Sequence, residues 1–510
     1  MSCYNTQMSS KQPHIILFNP DQWRGDVLGH MGNPAAVTPN LDAFAQTDAV
    51  SFRHAYCQNP VCVPSRCSFM SGWYPHVHGH RTMYYSMHKD DPVLLRTLKN
   101  HGYHVWWGGK NDLIAGQDGH EDVCDVLYQS PEKTERMWMI DKQDQWRGDP
   151  DGDNFYSFYV GKLPHSDGHD HYHDPDWANV MGAIDAIRNY DKDSGKPLCL
   201  FLPLTYPHPP YAVESEFYDM IDPRKLPPRV KAPQSESEWE GYASMLKGLH
   251  ERHRLSNWDE ERWTELRRMY YAMCARVDHQ FGLVMQALKD AGMYDDSAVF
   301  VFSDHGDYTG DYSVVEKSQN GFEDCLTRVP FLFKPSSDYP VKPGVSDAMI
   351  ELIDLSATVE QLAGITPEHT HFGMSLLPIA TGESSVLRDA VFCEGGRLPG
   401  EEQAKELGPD GELRDPHNLY YSRMYFQQGD GIEHHKATMC RTPHYKYIQR
   451  LSESDAFYDL DNDPFEQHNL IDHPDWQTQI NAHRLRMLQW YQQTCDVVPP
   501  KQDERNFARK

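Results

Sequence analysis

Four small groups of polar residues in this 510-residue chain each close a short apolar run. Asp21 and Gln22 follow residues 14–19, and Lys110, Asn111 and Asp112 follow 104–108. His208 follows 199–205, and Asp304 and His305 follow 298–303. Carboxylates suit hard divalent ions, and one imidazole shifts the preference toward Mn²⁺ or Zn²⁺. Asp21, Asp304 and His305, with the side-chain carbonyl of Gln22, therefore form a candidate cation site. Arg66, Lys110 and Lys317 add three positive groups near the same edge, and a cation opposed to basic side chains is a receptor for a tetrahedral anion. Cys62 stands beside them in Cys62-Val63-Pro64-Ser65-Arg66-Cys67. Pro64 suits the first position of a helix, which puts Cys62 just ahead of the N-terminus, where backbone amides favour negative charge. From its residues alone, position 62 is a buried thiol, a thiolate nucleophile, or one ligand of a metal cluster with Cys57 and Cys67. Three ligands five residues apart match no common zinc pattern.

The apolar runs read as buried parallel strands. Between them lie helical patterns over about 178–189, 259–290 and 350–362. The middle one carries a stripe of Leu266, Met269, Met273, Val277, Phe281, Val284 and Leu288, with Ser256 and Asp259 as its N-terminal cap. Strands alternating with helices predict an α/β fold: a large, mostly parallel central sheet with helices on both faces. In open sheets of this kind ligands bind outside the carboxyl ends of the strands, so the four polar groups should meet at one edge. Past residue 382 the pattern changes to short strands at 390–393, 419–426, 436–440 and 445–450, then a helix at 476–493. This predicts a catalytic domain over 1–385 and a smaller α+β unit with an antiparallel sheet over 386–510. The tail 497–510 reads as disordered or as an oligomer arm. The His-rich stretch 165–174 (HSDGHDHYHD) reads as a solvated loop, with metal capture as the alternative.

Acidic residues outnumber basic ones 75 to 48, for a net charge of −27. That field repels phosphate backbones and anionic lipid, so neither nucleic acid nor a membrane is an expected partner. No apolar run approaches the roughly 20 residues that span a bilayer. The 11 scattered cysteines suggest a reducing compartment. The first seven residues show no basic or apolar leader pattern, and a cytoplasmic protein is expected.

Cys62-x-Pro64-Ser65-Arg66, followed by Ser71-Gly72 and Tyr74-Pro75, resembles the signature of the type I sulfatases of the alkaline phosphatase superfamily. Thr38-Pro39-Asn40-Leu41-Asp42, Ser303-Asp304-His305-Gly306, Lys317, Arg328-Val329-Pro330 and Phe457-Tyr458-Asp459-Leu460 extend the resemblance over nearly the whole chain. It implies an alkaline phosphatase-like fold and a formylglycine-generating maturation enzyme that oxidises Cys62 to Cα-formylglycine. Hydrated, that aldehyde is a geminal diol: one hydroxyl attacks the sulfur of a sulfate ester, and the second expels sulfate by reforming the aldehyde. The resemblance further implies a divalent metal, Ca²⁺ foremost with Mn²⁺ or Mg²⁺ as alternatives, held by Asp21, Gln22, Cys62, Asp304 and His305. Arg66 would orient the diol, Lys110 and Lys317 would grip sulfate oxygens, and His208 would act as general acid.

Two departures stand out. The family's Gly-Lys-Trp-His is here Gly109-Lys110-Asn111-Asp112, which gives Asp112 the place of a histidine. The usual Asp-Asp and Asp-Asn pairs are Asp21-Gln22 and Asp304-His305, variants also found in phosphonate monoester and phosphodiester hydrolases of the superfamily. The expected activity is hydrolysis of a sulfate monoester of a small saccharide or aryl alcohol. The alternatives are phosphonate monoester or phosphodiester hydrolysis by the same aldehyde, and a silent relative that senses sulfated glycans. His78 and Arg81, just past the signature, are the expected substrate-pocket residues, and a homo-oligomer is compatible with the tail.

Overall fold

In the computed structural model the four apolar runs lie in the middle of one sheet. The structure describes residues 12–135, 157–407 and 420–499, together with 146, 501, 502 and 505. In chain order the strands are β1 His14–Asp21, β2 Val50–Tyr56, β3 His104–Trp107, β4 Val126–Leu127, β5 Tyr159–Leu163, β6 Leu198–Pro207 and β7 Tyr211–Glu214. They continue with β8 Ser297–Phe302, β9 Phe331–Lys334, β10 Gly344–Glu351, β11 Val391–Gly395, β12 Ala437–Arg441, β13 Tyr445–Arg450 and β14 Ala456–Asp459. Eight of them form the main sheet, in the order β10-β2-β9-β8-β1-β6-β3-β4. All pairings are parallel except those of β9, which runs antiparallel to both neighbours.

Alternate residues of β1 serve opposite faces, as strand geometry requires. Ile16 and Phe18 join a core with the helices Pro39–Thr47, Pro175–Arg188 and Glu260–Asp290. Ile15 and Leu17 join a second core with Cys62–Ser71, Leu94–Asn100 and Asp354–Ala363. Burial on both faces explains why these strands are apolar without alternation. The four-stranded antiparallel sheet, ordered β11-β12-β13-β14, carries the helix Gln477–Thr494, whose Trp490 stacks on Phe392 at 4.4 Å. Among the described residues no helix is long and apolar enough to cross a membrane.

Several local expectations change. Residues 420–426 are not a strand: Tyr421–Gln428 is a helix, and Leu419 lies outside the described residues. Residues 350 and 351 end β10, and the helix expected there begins only at Asp354. The long helix is capped by Asp259, whose side chain accepts from the Arg262 amide, without Ser256. The signature helix starts at Cys62 itself, so Pro64 is its third residue, a position that also has no intrahelical amide bond to lose. Of the tail, only 497–499, 501, 502 and 505 are described.

Candidate active site

The carboxyl end of β1 is where the site begins. Its register with β6 shifts between Asn19 and Asp21, an irregularity that re-aims the strand end. Gln22 follows with φ +68°, a left-handed conformation that costs about 1 kcal/mol or more for a residue with a side chain. From the end of β3, Gly109 turns the chain into Lys110 at φ +137°, where a Cβ would lie 2.0 Å from the Pro203 carbonyl oxygen. Only glycine fits that approach. Beyond β8, the buried segment from Asp304 to Asn320 holds Thr309, Tyr312, Ser313, Glu316 and Asn320 at positive φ. Such strain persists only where packing over-determines it, and it concentrates at functional sites.

Arg66, fully buried, organises the centre. Its Nη2 donates to Asp21 Oδ2 at 2.9 Å, its Nε to Asp304 Oδ2 at 2.9 Å, and its Nη1 to Asn19 Oδ1 at 3.0 Å. With both Oδ2 atoms taken, Asp21 Oδ1 and Asp304 Oδ1 stand 3.6 and 3.9 Å from His305 Nε2. His305 Nδ1 donates to the Gly306 carbonyl at 2.9 Å, which fixes the tautomer and turns a lone pair on Nε2 toward the carboxylates. Cys62 Sγ lies 3.2 Å from that nitrogen, 3.6 Å from Asp21 Oδ1 and 3.6 Å from Lys110 Nζ. One atom from each of Asp21, Cys62, Asp304 and His305 falls within 4.8 Å of the others. Two buried carboxylates and a neutral imidazole nitrogen around one point fit a divalent cation of hard or borderline character.

Lys110 Nζ donates to Asp21 Oδ2 at 2.7 Å and is ion-paired with Asp112 Oδ2 at 2.7 Å. Burial opposes its charge, but Asp112 and Asp21 hold its pKa well above the usual ammonium range. Burial likewise opposes ionisation of Asp21, and Lys110 and Arg66 reverse the balance, leaving its carboxyl well below the usual range. Lys317 Nζ donates to Gln22 Oε1 at 2.6 Å, and Gln22 Nε2 donates to Asp307 Oδ2 at 2.5 Å. His208 is 2% exposed, its Nδ1 donates to the Pro209 carbonyl at 2.6 Å, and burial followed by Lys317 pulls its pKa well below the usual imidazole value. Burial and then Asp21 push the Cys62 thiol up to about 12, so the unmodified side chain is a thiol and a poor nucleophile. Cys57 instead faces the Leu326 carbonyl, and Cys57, Cys62 and Cys67 form no ligand group among the described residues.

A family model described as Sulfatase matches residues 13–365. The chain belongs to the sulfatase family. This sulfatase is 27% identical over 407 residues to an arylsulfatase of Clostridium perfringens (strain 13 / Type A), covering 75% of this chain and 81% of that one. It is 24% identical to a choline-sulfatase of Rhizobium meliloti (strain 1021), covering 98% and 91%. Among solved structures, the phosphonate monoester hydrolase of Agrobacterium radiobacter superposes with a TM-score of 0.75 at 21% identity, covering 95% of this chain and 96% of that one. That likeness is one of fold.

The sulfatase fold thus gathers Asp21, Gln22, Cys62, Arg66, Lys110, Asp112, Asp304, His305 and Lys317, with His208 buried beside them. It does not bring His78 or Arg81 into this cluster. His78 Nδ1 is 2.7 Å from Asp91, and Arg81 is held by Glu401 at 2.6 Å and the Gly396 carbonyl at 2.7 Å. Sequence reasoning missed four supporting residues. Asn19 receives Arg66, and Ser65 Oγ donates to the Asp304 carbonyl at 2.6 Å. Asp307 accepts from Gln22 and from the Tyr211 hydroxyl at 2.9 Å. Asp307 was open to discovery as the second acid of Asp304-His305-Gly306-Asp307, whereas Tyr211 had no local signal.

Proposed function

We propose that this sulfatase hydrolyses a sulfate monoester of a small saccharide or aryl alcohol, using position 62 after its oxidation to Cα-formylglycine and one divalent cation. The observation that carries the reading is the convergence on Cys62 Sγ of Asp21, His305 and Lys110, all within 3.6 Å, at the N-terminus of a ten-residue helix. Cys62 is 1% exposed, so a formylglycine-generating enzyme would have to reach it before folding is complete. Asp21, Asp304 and His305 would hold the cation, Ca²⁺ foremost, with position 62 and the Gln22 carbonyl at its edge. Hydrated, the aldehyde beside a divalent ion would supply an oxygen nucleophile at neutral pH and a second hydroxyl able to expel sulfate.

The remaining chemistry belongs to the side chains around it. Arg66 fixes the two carboxylates in place. Lys110 and Lys317 present ammonium groups to the anion's oxygens, and Asp112 keeps Lys110 charged. His208, whose Nδ1 donates to Pro209 and whose pKa is lowered, would act as general acid toward the leaving oxygen only after taking up a second proton at Nε2. His78 and Arg81 have no part in this reading. We keep the division into a catalytic domain over 1–385 and a C-terminal unit over 386–510, and we attach a reducing, cytoplasmic location to the ten free cysteines among the described residues. The test is turnover of nitrophenyl sulfate by natively matured protein, with the mass of the peptide bearing position 62. Aldehyde mass and turnover lost in Cys62→Ala are expected; an unmodified thiol in active protein would sink the reading.

A second reading has specific support. Gln22 puts a neutral amide where the resemblance implies a carboxylate: Arg66 pairs with Asp21 and Asp304, Lys110 with Asp21 and Asp112, and Lys317 Nζ donates to that amide and lies 3.4 Å from Glu316. Sulfate monoesters, phosphonate monoesters and phosphodiesters all present one negative charge on a tetrahedral centre, and the charge balance suits each of them. The ratio of kcat/KM for nitrophenyl sulfate to that for a nitrophenyl phosphonate decides between the readings.

A further inference from the structure

The His-rich stretch expected to be a solvated loop is built into the protein. The Ser166 amide donates to the His171 carbonyl at 2.9 Å, the His169 amide to the Ser166 carbonyl at 3.0 Å, and the His173 amide to Ser166 Oγ at 2.9 Å. The Glu135 amide donates to the His173 carbonyl at 2.8 Å. Immediately after it, Asp174 caps the helix Pro175–Arg188 and pairs with buried Arg276 at 2.7 Å. Side chains at 169, 171 and 173 consequently form one packed group: the rings of His169 and His173 stack at 4.1 Å, and His171 lies 4.4 Å from Trp177.

We propose that His169, His173 and Glu132 form a second metal site, separate from the sulfatase centre, that takes a first-row transition metal ion, Zn²⁺ foremost. Both His169 Nε2 and His173 Nε2 lie 3.6 Å from the same atom, Glu132 Oε2. That is too long for a hydrogen bond but close to the edge of about 3.3–3.4 Å that separates donors 2.0–2.1 Å from one tetrahedral ion. Because the two stacked rings are parallel within 6°, the more exposed His169 ring has to turn about its Cβ–Cγ bond to share an ion with His173. The tautomers agree. A carboxylate only accepts, so Asp170 Oδ1, 3.0 Å from His171 Nδ1, puts the proton on that nitrogen. Neutral His171 then accepts at Nε2 from His173 Nδ1, at 3.3 Å. His173 Nε2 is left as a lone pair facing Glu132, on a side chain only 9% exposed, and it has no hydrogen-bond partner. An acid that fixes an imidazole, which in turn orients a second imidazole, is the outer support usual for a metal-ligating histidine. A 410 Å³ cavity reaches His169 and His173 and gives access for the ion and for a fourth ligand. Two imidazole nitrogens and one carboxylate oxygen favour Zn²⁺ over Ca²⁺ or Mg²⁺.

The experiment is calorimetric titration with Zn²⁺ of chelator-stripped full-length protein, in an Asp21→Asn/Asp304→Asn background that disables the other site. About one Zn²⁺ per chain is expected, with Co²⁺ giving the visible absorption of a four-coordinate ion. His169→Gln/His173→Gln should weaken binding more than about 100-fold, and Glu132→Gln about 10-fold. Glu132 is 63% exposed, so its substitution reads binding without risk to folding, and it should leave turnover of nitrophenyl sulfate in the unaltered background unchanged. Zn²⁺ affinity equal in the parent, the double histidine variant and Glu132→Gln would overturn the proposal, as would absence of Zn²⁺ binding in the parent.

Discussion

Two buried charge networks in this protein look alike by composition and differ in closure. The first is the cluster of Asp21, Arg66, Lys110, Asp304 and His305. The second lies where the antiparallel sheet meets the main one: Lys446 donates to Asp324 at 2.8 Å, to the Phe322 carbonyl at 2.7 Å and to Glu466, while Arg441 pairs with Asp324 at 3.2 Å. There the three ammonium protons meet three acceptors. In the first network Arg66 satisfies the outer carboxylate oxygens, while Asp21 Oδ1, Cys62 Sγ and His305 Nε2 gather within 3.6 Å of one another, and Asp304 Oδ1, which accepts from the Gln22 and His305 amides, stands 3.9 Å from His305 Nε2. A closed network holds elements together; an open one is poised for a ligand. Burial alone separates neither from the other.

The sharpest way to break this contrast is at position 62. Cys62→Ala should lower sulfate ester turnover by about 10⁴-fold or more with an almost unchanged melting temperature, because the nucleophile proposed at position 62 goes and a small buried side chain remains. Lys446→Met should do the opposite. Leaving Asp324 and Glu466 buried without their cation should cost about 3–5 kcal/mol in denaturant unfolding, with kcat/KM per folded molecule preserved. Asp304→Asn tests the open network itself: turnover should fall about 10²-fold, while the amide oxygen, still able to accept from Arg66 Nε, should make the loss of stability smaller than in Lys446→Met. A melting temperature that drops as far as in Lys446→Met would falsify the distinction.

The smallest effect concerns a carboxylate outside both networks. Asp278 accepts from the Asn40 and Leu41 amides at the start of the helix Pro39–Thr47, and burial pushes its pKa up to about 6. Its folded form therefore binds a proton more tightly than the unfolded chain does, and stability falls as pH rises from about 4 to 6, then levels. Asp278→Asn should reduce that fall by about 2 kcal/mol. Identical slopes in the two proteins, measured by thermal unfolding across that range, would remove Asp278 from the balance.

How much was legible in the chain follows from where each signal lies. The central strands were readable because a strand buried on both faces has to be apolar throughout, and their ends because a buried sheet edge rarely carries Asp, Lys and His without a reason. The helix Tyr421–Gln428 was misread as a strand. Its Tyr, Met and Phe residues favour strands by propensity, but Phe426 packs over Gly248 and Tyr425 under Arg252, and those long-range contacts decide. The His-rich stretch is the loop that its polar alternation suggested, with His165, Asp167 and Asp170 exposed; the alternation gave no sign that Ser166, Glu135 and Trp177 hold its second half.

The sequence by itself determined that polar and charged residues stand at the ends of the central strands, because strand periodicity and residue type are local properties. It also identified position 62 by its signature. Only the tertiary structure decided that Arg66 takes the outer oxygens of both carboxylates, that Gln22 is bridged to Lys317 and Asp307, that His78 and Arg81 are engaged elsewhere, and that Glu132 meets His169 and His173. Those are contacts between segments tens to hundreds of residues apart, and their geometry is set by packing that no local pattern encodes.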